Sequence, residues 1–339
     1  MIVGSDIVEY KLKVGDIANL AIPLLRIEDV KDGNARLPPS EHPMIAKRLL
    51  VACSAAKDSS ATLQILAAVY HRDNDAIPQA KIIARLFSAE EIKNCTKMME
   101  QLAEEGDAEA MTLHGQFLER AGQKGPAKYW YRRAVQNCNT TFNPRYPHPM
   151  TLPRETPWIA FAKRMSSEDT PEARAEIKAA LEKGAVKAGD PLAYYFLGSF
   201  EETLSPEWLI YMNKAAASGH NEAAYKLGQY YISVDADPSS HTNNSVLRKA
   251  LNFVTSWKPG SLQALAKEWF TVAATAGYKP AMLELAELSN SKGDTESATT
   301  WLRRITEPTP SGQTEGWPEL VEQTRRRLAG IRTANPKAA

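Results

Sequence analysis

The sequence predicts an all-α fold, an α-solenoid of antiparallel helix pairs. Two observations lead to this prediction. A series of residues between Gly106 and Arg133 returns between Gly277 and Arg304 at a constant offset of 171 positions. In addition, a Gly followed by helix-capping residues recurs along the chain as a helix–turn–helix junction. Self-similarity of this kind is typical of solenoids, in which each repeat packs on its neighbours.

Glycine, alanine, tryptophan and paired arginines carry the 171-residue repetition. The first set is Gly106, Ala110, Gly122, Ala127, Trp130, Arg132 and Arg133, and the second is Gly277, Ala281, Gly293, Ala298, Trp301, Arg303 and Arg304. The spacing from Gly to Ala and from Ala to Trp stays the same in both sets. We therefore interpret each set as one structural unit followed by the first helix of the next.

The turn between two helices is clearest at Gly189-Asp190-Pro191. Glycine supplies the left-handed conformation that closes a helix, and aspartate caps the next helix by accepting backbone N–H bonds. Proline fits the first helical position, where no N–H is needed. Ala193, four residues after Gly189, then falls in the opening turn of the second helix, where a small side chain lets two helices approach closely.

The same turn chemistry defines five copies. Gly106 with Ala110, Gly189 with Ala193, Gly219 with Ala223 and Gly277 with Ala281 are four of them, and Lys57 with Ala61 is a weaker fifth in which lysine replaces the closing glycine. An apolar residue lies eight positions before each of the four glycines and is predicted to anchor the first helix. These residues are Met98, Leu181, Tyr211 and Trp269.

The segments WYRRA, YMNKAAASGHNEAAYKLGQYY and WFTVAATAGYKPAMLELA resemble Sel-one-like repeats, relatives of the tetratricopeptide repeat. The match covers roughly residues 90–137 and 172–306, and it is closest between Tyr211 and Tyr231. The resemblance implies antiparallel helix pairs stacked into a tetratricopeptide-like superhelix, an α-solenoid that usually acts as an adaptor or scaffold. It implies no catalytic residues.

The expected organisation has five parts. They are an N-terminal cap region at 1–40, helical repeats at 41–138, a Pro-rich insertion at 139–171, helical repeats at 172–306, and a C-terminal capping helix and tail at 307–339. The insertion holds five prolines between Pro144 and Pro157, which exclude a regular helix there. It either packs its aromatic side chains over the solenoid edge or contacts a partner. From Trp158 to Met165 a helix is predicted.

Further segments are assigned from local composition. Ser233–Asn244 is expected to be a polar linker, Val246–Trp257 a helix, and Glu319–Ile331 a final capping helix. Cys53, Cys95 and Cys138 are spaced by 42 and 43 residues, which suggests equivalent first-helix positions and buried free thiols rather than a bridged pair.

Charge and hydropathy exclude several classes of function. The 41 basic and 40 acidic residues give a net charge of +1, which does not support bulk attraction to nucleic acid or membranes. Acidic Asp6 and Glu9 argue against a leader, and no apolar run is long enough to span a membrane. The expected location is intracellular and cytoplasmic, or mitochondrial if a leader is missing from this chain.

No motif for catalysis, a cofactor or a metal is visible. The six histidines form no metal-ligand spacing, and neither a nucleophile elbow nor a P-loop occurs. His114 replaces the leucine of other copies, so we expect a core histidine there. The sequence therefore predicts no enzyme and no cofactor.

The paired arginines are the candidate partner-binding residues. Arg132, Arg133, Arg303 and Arg304 flank the buried stripes that contain Trp130 and Trp301. They are either solvated helix surface or carboxylate clamps for an acidic peptide, because arginine binds planar acids bidentately.

Three functions are compared. We expect a protein-interaction scaffold or adaptor that holds a protein or peptide segment in a concave groove lined by first helices. The alternative is a helical-repeat RNA-associated or organellar assembly factor, suggested by the Arg325–Arg327 run and the aromatic insertion, although the net charge weighs against nucleic acid. An enzyme on this scaffold has no motif behind it.

Overall fold

The computed structural model describes residues 13–27, 40–140, 151–168, 170–237, 260–309 and 315–334. Across these ranges the regular structure is helical throughout, with sixteen α-helices, one π-helical turn and no strand. This confirms the all-α prediction. The chain divides into two compact units, one formed by residues up to Met165 and the other by the chain from Ser166 onward, apart from a short segment at 312–314.

The first unit contains eight helices within its described residues. They are α1 (Val14–Leu24), α2 (His42–Ala55), α3 (Ser59–Tyr70), α4 (Pro78–Ala84), α5 (Ala89–Glu105), α6 (Ala108–Arg120), α7 (Lys124–Asn137) and α8 (Pro157–Met165). Each packs mainly on its neighbours in sequence, as antiparallel helix pairs do. The predicted cap region supplies α1, whose buried face of Ala18, Ala21 and Ile22 lies on α2 and α3.

The second unit continues the same arrangement in its described residues. It comprises α9 (Pro171–Glu182) with a π-helical turn (Lys183–Lys187), α10 (Pro191–Gly198), α11 (Pro206–Ala217), α12 (Asn221–Ala236), α13 (Ser261–Thr275), α14 (Lys279–Ser291), α15 (Thr295–Thr306) and α16 (Pro318–Ala334). The predicted capping helix is present as α16. The predicted helix Val246–Trp257 lies outside the described residues.

All five predicted helix-pair turns are present. The closing residue is left-handed in each, with φ of 64° at Lys57, 108° at Gly106, 69° at Gly189, 96° at Gly219 and 90° at Gly277. At four of them the following residue caps the second helix with its side chain, and the alanine donates its backbone N–H to that cap. The five alanines, Ala61, Ala110, Ala193, Ala223 and Ala281, are fully buried.

The first helices share four buried positions, which we name the first-helix core positions. They lie eleven, seven, four and three residues before the turn residue. In α5 they are Cys95, Met99, Leu102 and Ala103, in α11 Trp208, Met212, Ala215 and Ala216, in α13 Ala266, Phe270, Ala273 and Ala274, and in α2 Ala46, Leu50, Cys53 and Ser54.

This register corrects two sequence-based predictions. The anchors predicted eight residues before the turn, Met98, Tyr211 and Trp269, are only half-buried, because the core side chain is the next residue along each helix. The cysteines are buried and free as predicted, but Cys53 and Cys95 occupy the third and first core positions and are not equivalent.

Successive helix pairs stack through small residues of the second helices. Gly115, in α6, lies directly against the buried ring of Tyr131, in the next first helix, where a Cβ would stand 2.8 Å from Tyr131 Cε1. Gly228 faces Phe270 in the same way. The absence of a side chain at these positions therefore sets how closely neighbouring pairs approach.

The described part of the Pro-rich insertion packs on the first unit, as one of the two alternatives predicted. Leu152, Trp158 and Phe161 are buried, and α8 lies on α6 and α7. Arg164 of α8 pairs with Glu119 of α6. The predicted helix from Trp158 is confirmed, and the prolines and aromatic residues at 141–150 lie outside the described residues.

The polar linker predicted at Ser233–Asn244 begins later than expected. Helix α12 runs to Ala236 because Val234 is buried in the core, which adds one more turn to this helix. Residues 238–259 lie outside the described residues.

Candidate functional site

The first helices of the second unit enclose a groove between α9, with its π turn, and α11. We name it the first-helix groove. Its volume is about 560 Å³, and its lining residues are Ala179, Glu182, Lys183, Val186, Lys187, Glu207, Ile210, Tyr211 and Lys214. This is the surface on which the sequence predicted partner binding, since both walls are first helices.

Apolar side chains are exposed in this groove. Val186 is 67% exposed and Ile210 is 53% exposed, on opposite walls. The same helix face continues on α13, where Leu265 and Val272 are exposed at the positions that Glu207 and Lys214 occupy on α11. Single exposed apolar residues are common on protein surfaces, but a group on the same face of neighbouring helices marks an interaction surface.

The equivalent face varies between the repeats of the first unit. Ile45 on α2, at the position of Glu207, and Tyr129 on α7, at the position of Ile210, are exposed. On α5 the positions that match Glu207, Ile210 and Lys214 hold the exposed polar residues Asn94, Lys97 and Gln101. The apolar first-helix face is therefore a property of particular repeats and does not follow from the repeat fold itself.

Charges surround the apolar floor of the groove. The lining holds Lys183, Lys187 and Lys214 together with Glu182 and Glu207, which gives an excess of one positive charge. The Lys214 Nζ atom also lies 5.4 Å from the ring centroid of Tyr194. The groove can therefore receive an apolar group that carries a neighbouring anion.

The second arginine of each pair lies in the same helix register as Lys214. The Arg133 guanidinium carbon is 5.1 Å from the ring centroid of Trp130, and that of Arg304 is 4.8 Å from the ring of Trp301. Arg133 also donates to Glu104 Oε2 at 3.1 Å, and this hydrogen bond raises the pKa of its guanidinium. Each unit thus carries one arginine held over a tryptophan on the first-helix face.

Arg132 and Arg303 are exposed, one residue before the stacked arginines and on the flank of the helix. The four arginines are divided between the two units, two in α7 and two in α15. Their role as carboxylate clamps stays a prediction.

The second helices of this unit line another cavity, of about 570 Å³, that includes Tyr195, Trp208 and Lys226. Its polar groups are engaged with one another. The Tyr195 hydroxyl donates to Glu222 Oε1 at 2.6 Å, and Lys226 Nζ donates to the Tyr195 oxygen at 2.5 Å. Burial and the hydrogen bond to Glu222 raise the pKa of Tyr195. These groups stabilise the stacking of α10 on α12, which makes this cavity a weaker candidate.

Chemistry beyond binding has little support in the described residues. Across those ranges no group of three or more histidines, cysteines, aspartates and glutamates could hold a metal ion. Within the same ranges, no helix is both long and apolar enough to cross a membrane. His114 is half-buried with its ring edge-on to Trp130 at 5.2 Å, and burial lowers its pKa.

Two repeated features decide the fold. Each of the five helix pairs has a left-handed turn residue between its helices, and in four of them the buried residues of the first helices lie at matching distances before that residue. The chain is an α-helical repeat protein. It is similar to a Sel1 repeat protein from Oxalobacter formigenes, whose crystal structure aligns with 90% of this chain and 99% of that chain at 16% identity and a TM-score of 0.22. At this TM-score the likeness carries no argument, and the fold is assigned from the helix pairs themselves. No protein-family model and no curated protein matches the sequence.

Sequence reasoning placed the helix pairs and the tryptophan–arginine positions and predicted a groove lined by first helices, but it did not identify Val186 and Ile210 as lining residues. Val186 and Ile210 are aliphatic residues that belong to no motif in the sequence. Only the register of the core positions shows that they face outward. An available signal was the spacing from Ala185 to Gly189, which is one residue longer than in the other copies.

Proposed function

We propose that this protein is an interaction scaffold whose first-helix groove holds a segment of a partner protein. The observation that supports this most strongly is the exposure of Val186 and Ile210 on facing walls of one groove. A partner side chain placed between them would remove both from water, at about 25 cal/mol per Å² of apolar surface.

The partner segment is acidic in this proposal. The lysines of the groove, together with Arg304 in the equivalent register of α15, give the first-helix face of the second unit its positive charges. Carboxylates beside an apolar residue would meet these side chains at the rim. Charged contacts of this kind mainly set specificity and association rate, and the apolar contact supplies most of the affinity.

The RNA-associated alternative has no observation that favours it. Trp158 and Phe161 of the insertion are buried, so they cannot stack on bases. In the arginine run, Arg326 pairs with Glu322 and Arg327 with Glu287, within the protein.

The test is a selection of short random peptides displayed on phage against the full chain, followed by titration of the synthetic peptides. Ile210→Glu should weaken binding by about tenfold or more, because it places a carboxylate on the apolar floor. Ile82→Glu is the matched control, since Ile82 is 63% exposed on α4 and lies in the first unit. Equal affinities for Ile210→Glu and the unchanged protein would show that the groove is not the binding site.

A further inference from the structure

The helix pair formed by α9 and α10 contains one residue more than the other four pairs. In those pairs the last first-helix core position precedes the turn residue by three, as Ala216 precedes Gly219. In α9 the core positions are Ile177, Leu181, Gly184 and Ala185, and the turn residue Gly189 follows four residues later.

Backbone hydrogen bonds show where the extra residue is accommodated. The bond that closes the turn runs from His220 N to Ala215 O in α11, five residues apart. The corresponding bond in α9 runs from Asp190 N to Gly184 O at 3.1 Å, six residues apart. Residues Lys183–Lys187 accordingly form a π-helical turn. This insertion also explains the position of Leu181. The second core residue lies eight residues before the turn glycine in α9, and seven residues before the turn residue in the other four pairs.

The residue that follows the last core position is exposed in every pair, as Ala55, Glu104, Ala217 and Thr275 are, and only the α9 pair carries a large apolar side chain there. With the core aligned, Ala185 matches the buried Ala216, and the following residue, Val186, is the most exposed of the large apolar side chains in the described residues. A π turn is rare, usually arises from a single-residue insertion and is frequent at functional sites. The exposed valine in this turn favours neither stability nor solubility.

We propose that Val186, which lies in the π turn, is the specificity-determining residue of the first-helix groove, and that Val186 and Ile210 together hold one aliphatic side chain of an acidic peptide segment. This inference rests on the proposed function and names the partner's chemistry. Lys187, next to Val186, and Lys214, one turn after Ile210, receive the carboxylate beside that side chain. The charge excess of the groove lining supports an acidic segment over a basic one.

The proposal predicts opposite effects on binding and stability. Deletion of Val186 gives α9 the same turn spacing as α11, so the helix can close with regular bonds. We expect retained helicity and a melting temperature no lower than that of the unchanged protein, together with a loss of peptide affinity of about tenfold or more. A merely structural role would lower stability along with binding.

Val186→Ser keeps the length of the turn and removes only the apolar grip. We expect this variant to bind several-fold more weakly than the unchanged protein, with the same circular dichroism spectrum. If the deletion variant does not fold, Val186→Ser serves as the test. Binding of the peptide by Val186→Ser with full affinity would overturn the proposal.

The probe is the set of peptides selected on the full chain, with versions in which the aliphatic residue is replaced by Ser or the acidic residues by their amides. Both replacements should weaken binding. If Ile210→Glu abolishes binding while deletion of Val186 leaves it unchanged, the proposed function stands and this inference is wrong. If the selected peptides lack acidic residues, or if the full chain self-associates through this groove in sedimentation, the stated occupant is wrong.

Discussion

Lys57 shows how a single residue reports on the repeat. It closes the first helix-pair turn with φ of 64°, a conformation that the other four turns assign to glycine. A left-handed residue with a side chain costs about 1–2 kcal/mol relative to the right-handed region. The turn forms nevertheless, because the flanking helices are fixed by their core positions. The sequence-based alignment of Lys57 with the turn glycines is thereby confirmed.

Lys57→Gly should therefore stabilise the protein. Relief of the backbone strain exceeds the greater unfolded-state entropy of glycine, for a net gain of about 0.5–1 kcal/mol. The ion pair between Lys57 and Glu105 is exposed, so its removal matters little. Urea unfolding would measure the change, with Gly219→Ala as the reverse control. A clear loss of stability in Lys57→Gly would mean that the lysine side chain contributes more than the strain costs.

The arginine pairs make a second residue-scale prediction. Replacing Arg303 and Arg304 with Ala should leave helicity and melting essentially unchanged, because both side chains lie outside the buried stripe of α15. If they bind carboxylates of the partner, each bidentate ion pair that the substitution removes should lower the affinity for an acidic peptide by about tenfold.

Arg132 and Arg133 provide the comparison in the first unit. Because Arg133 already bonds Glu104, its replacement should affect stability more than replacement of Arg304 does. The decisive variant replaces all four arginines with Ala. If it binds the acidic peptide in a titration as tightly as the unchanged protein does, the arginines take no part in binding.

At the scale of the helix, the turns were predictable and the π turn was not. Closing glycines, aspartate caps and prolines act within a few residues, so their pattern is legible in the sequence. The insertion at Lys183–Lys187 alters only which face each residue presents, and that depends on packing against α10 and α11. The end of α12 was misplaced for the same reason, since Val234 is held by tertiary contacts.

Glycines of the second helices should differ in their tolerance of a side chain. Gly228→Ala meets the fully buried ring of Phe270, with Cδ1 at 2.6 Å, and should destabilise by about 1–3 kcal/mol. Gly198→Ala meets the terminal methyl of Met212, a flexible side chain that can move aside. Alanine also favours the helix by about 1 kcal/mol, so this variant should be nearly neutral. Thermal unfolding that ranks Gly198→Ala as the more damaging change would contradict this stacking.

The C-terminal helix α16 should dock in a pH-dependent way. Burial raises the pKa of the Glu315 carboxyl, but hydrogen bonds from the buried Lys279 and from Trp317 N–H outweigh it and hold the pKa below its ordinary value of 4.5. Because this pKa is depressed in the folded state, its stabilisation is present above about pH 4.5 and is lost as pH falls through the folded-state value.

Glu315→Gln should accordingly be less stable than the unchanged protein near neutral pH, and the two should converge in acid. Unfolding by urea across a pH series measures this. Glu322→Gln is the control, since the Glu322–Arg326 pair is exposed and should contribute little at any pH. If the free energy of unfolding of Glu315→Gln differs from that of the unchanged protein by the same amount at all pH values, the ion pair is not the cause of the difference.

On the scale of the whole molecule, the two units share one repeat register and differ in the face that their first helices expose. In the first unit the exposed large apolar residues of that face are Ile45 and Tyr129, and in the second unit they are Val186, Ile210, Leu265 and Val272. Net charge near zero provides no long-range attraction, so recognition has to be local. The distribution of exposed side chains therefore favours partner binding by the second unit.

Hydrogen–deuterium exchange of the full chain, with and without a selected acidic peptide, tests this assignment most directly. The account predicts slower exchange at 179–187 and 207–214, the two walls of the first-helix groove, and no change in α2 to α6. Protection confined to the second helices α10 and α12, or to the first unit, would contradict it.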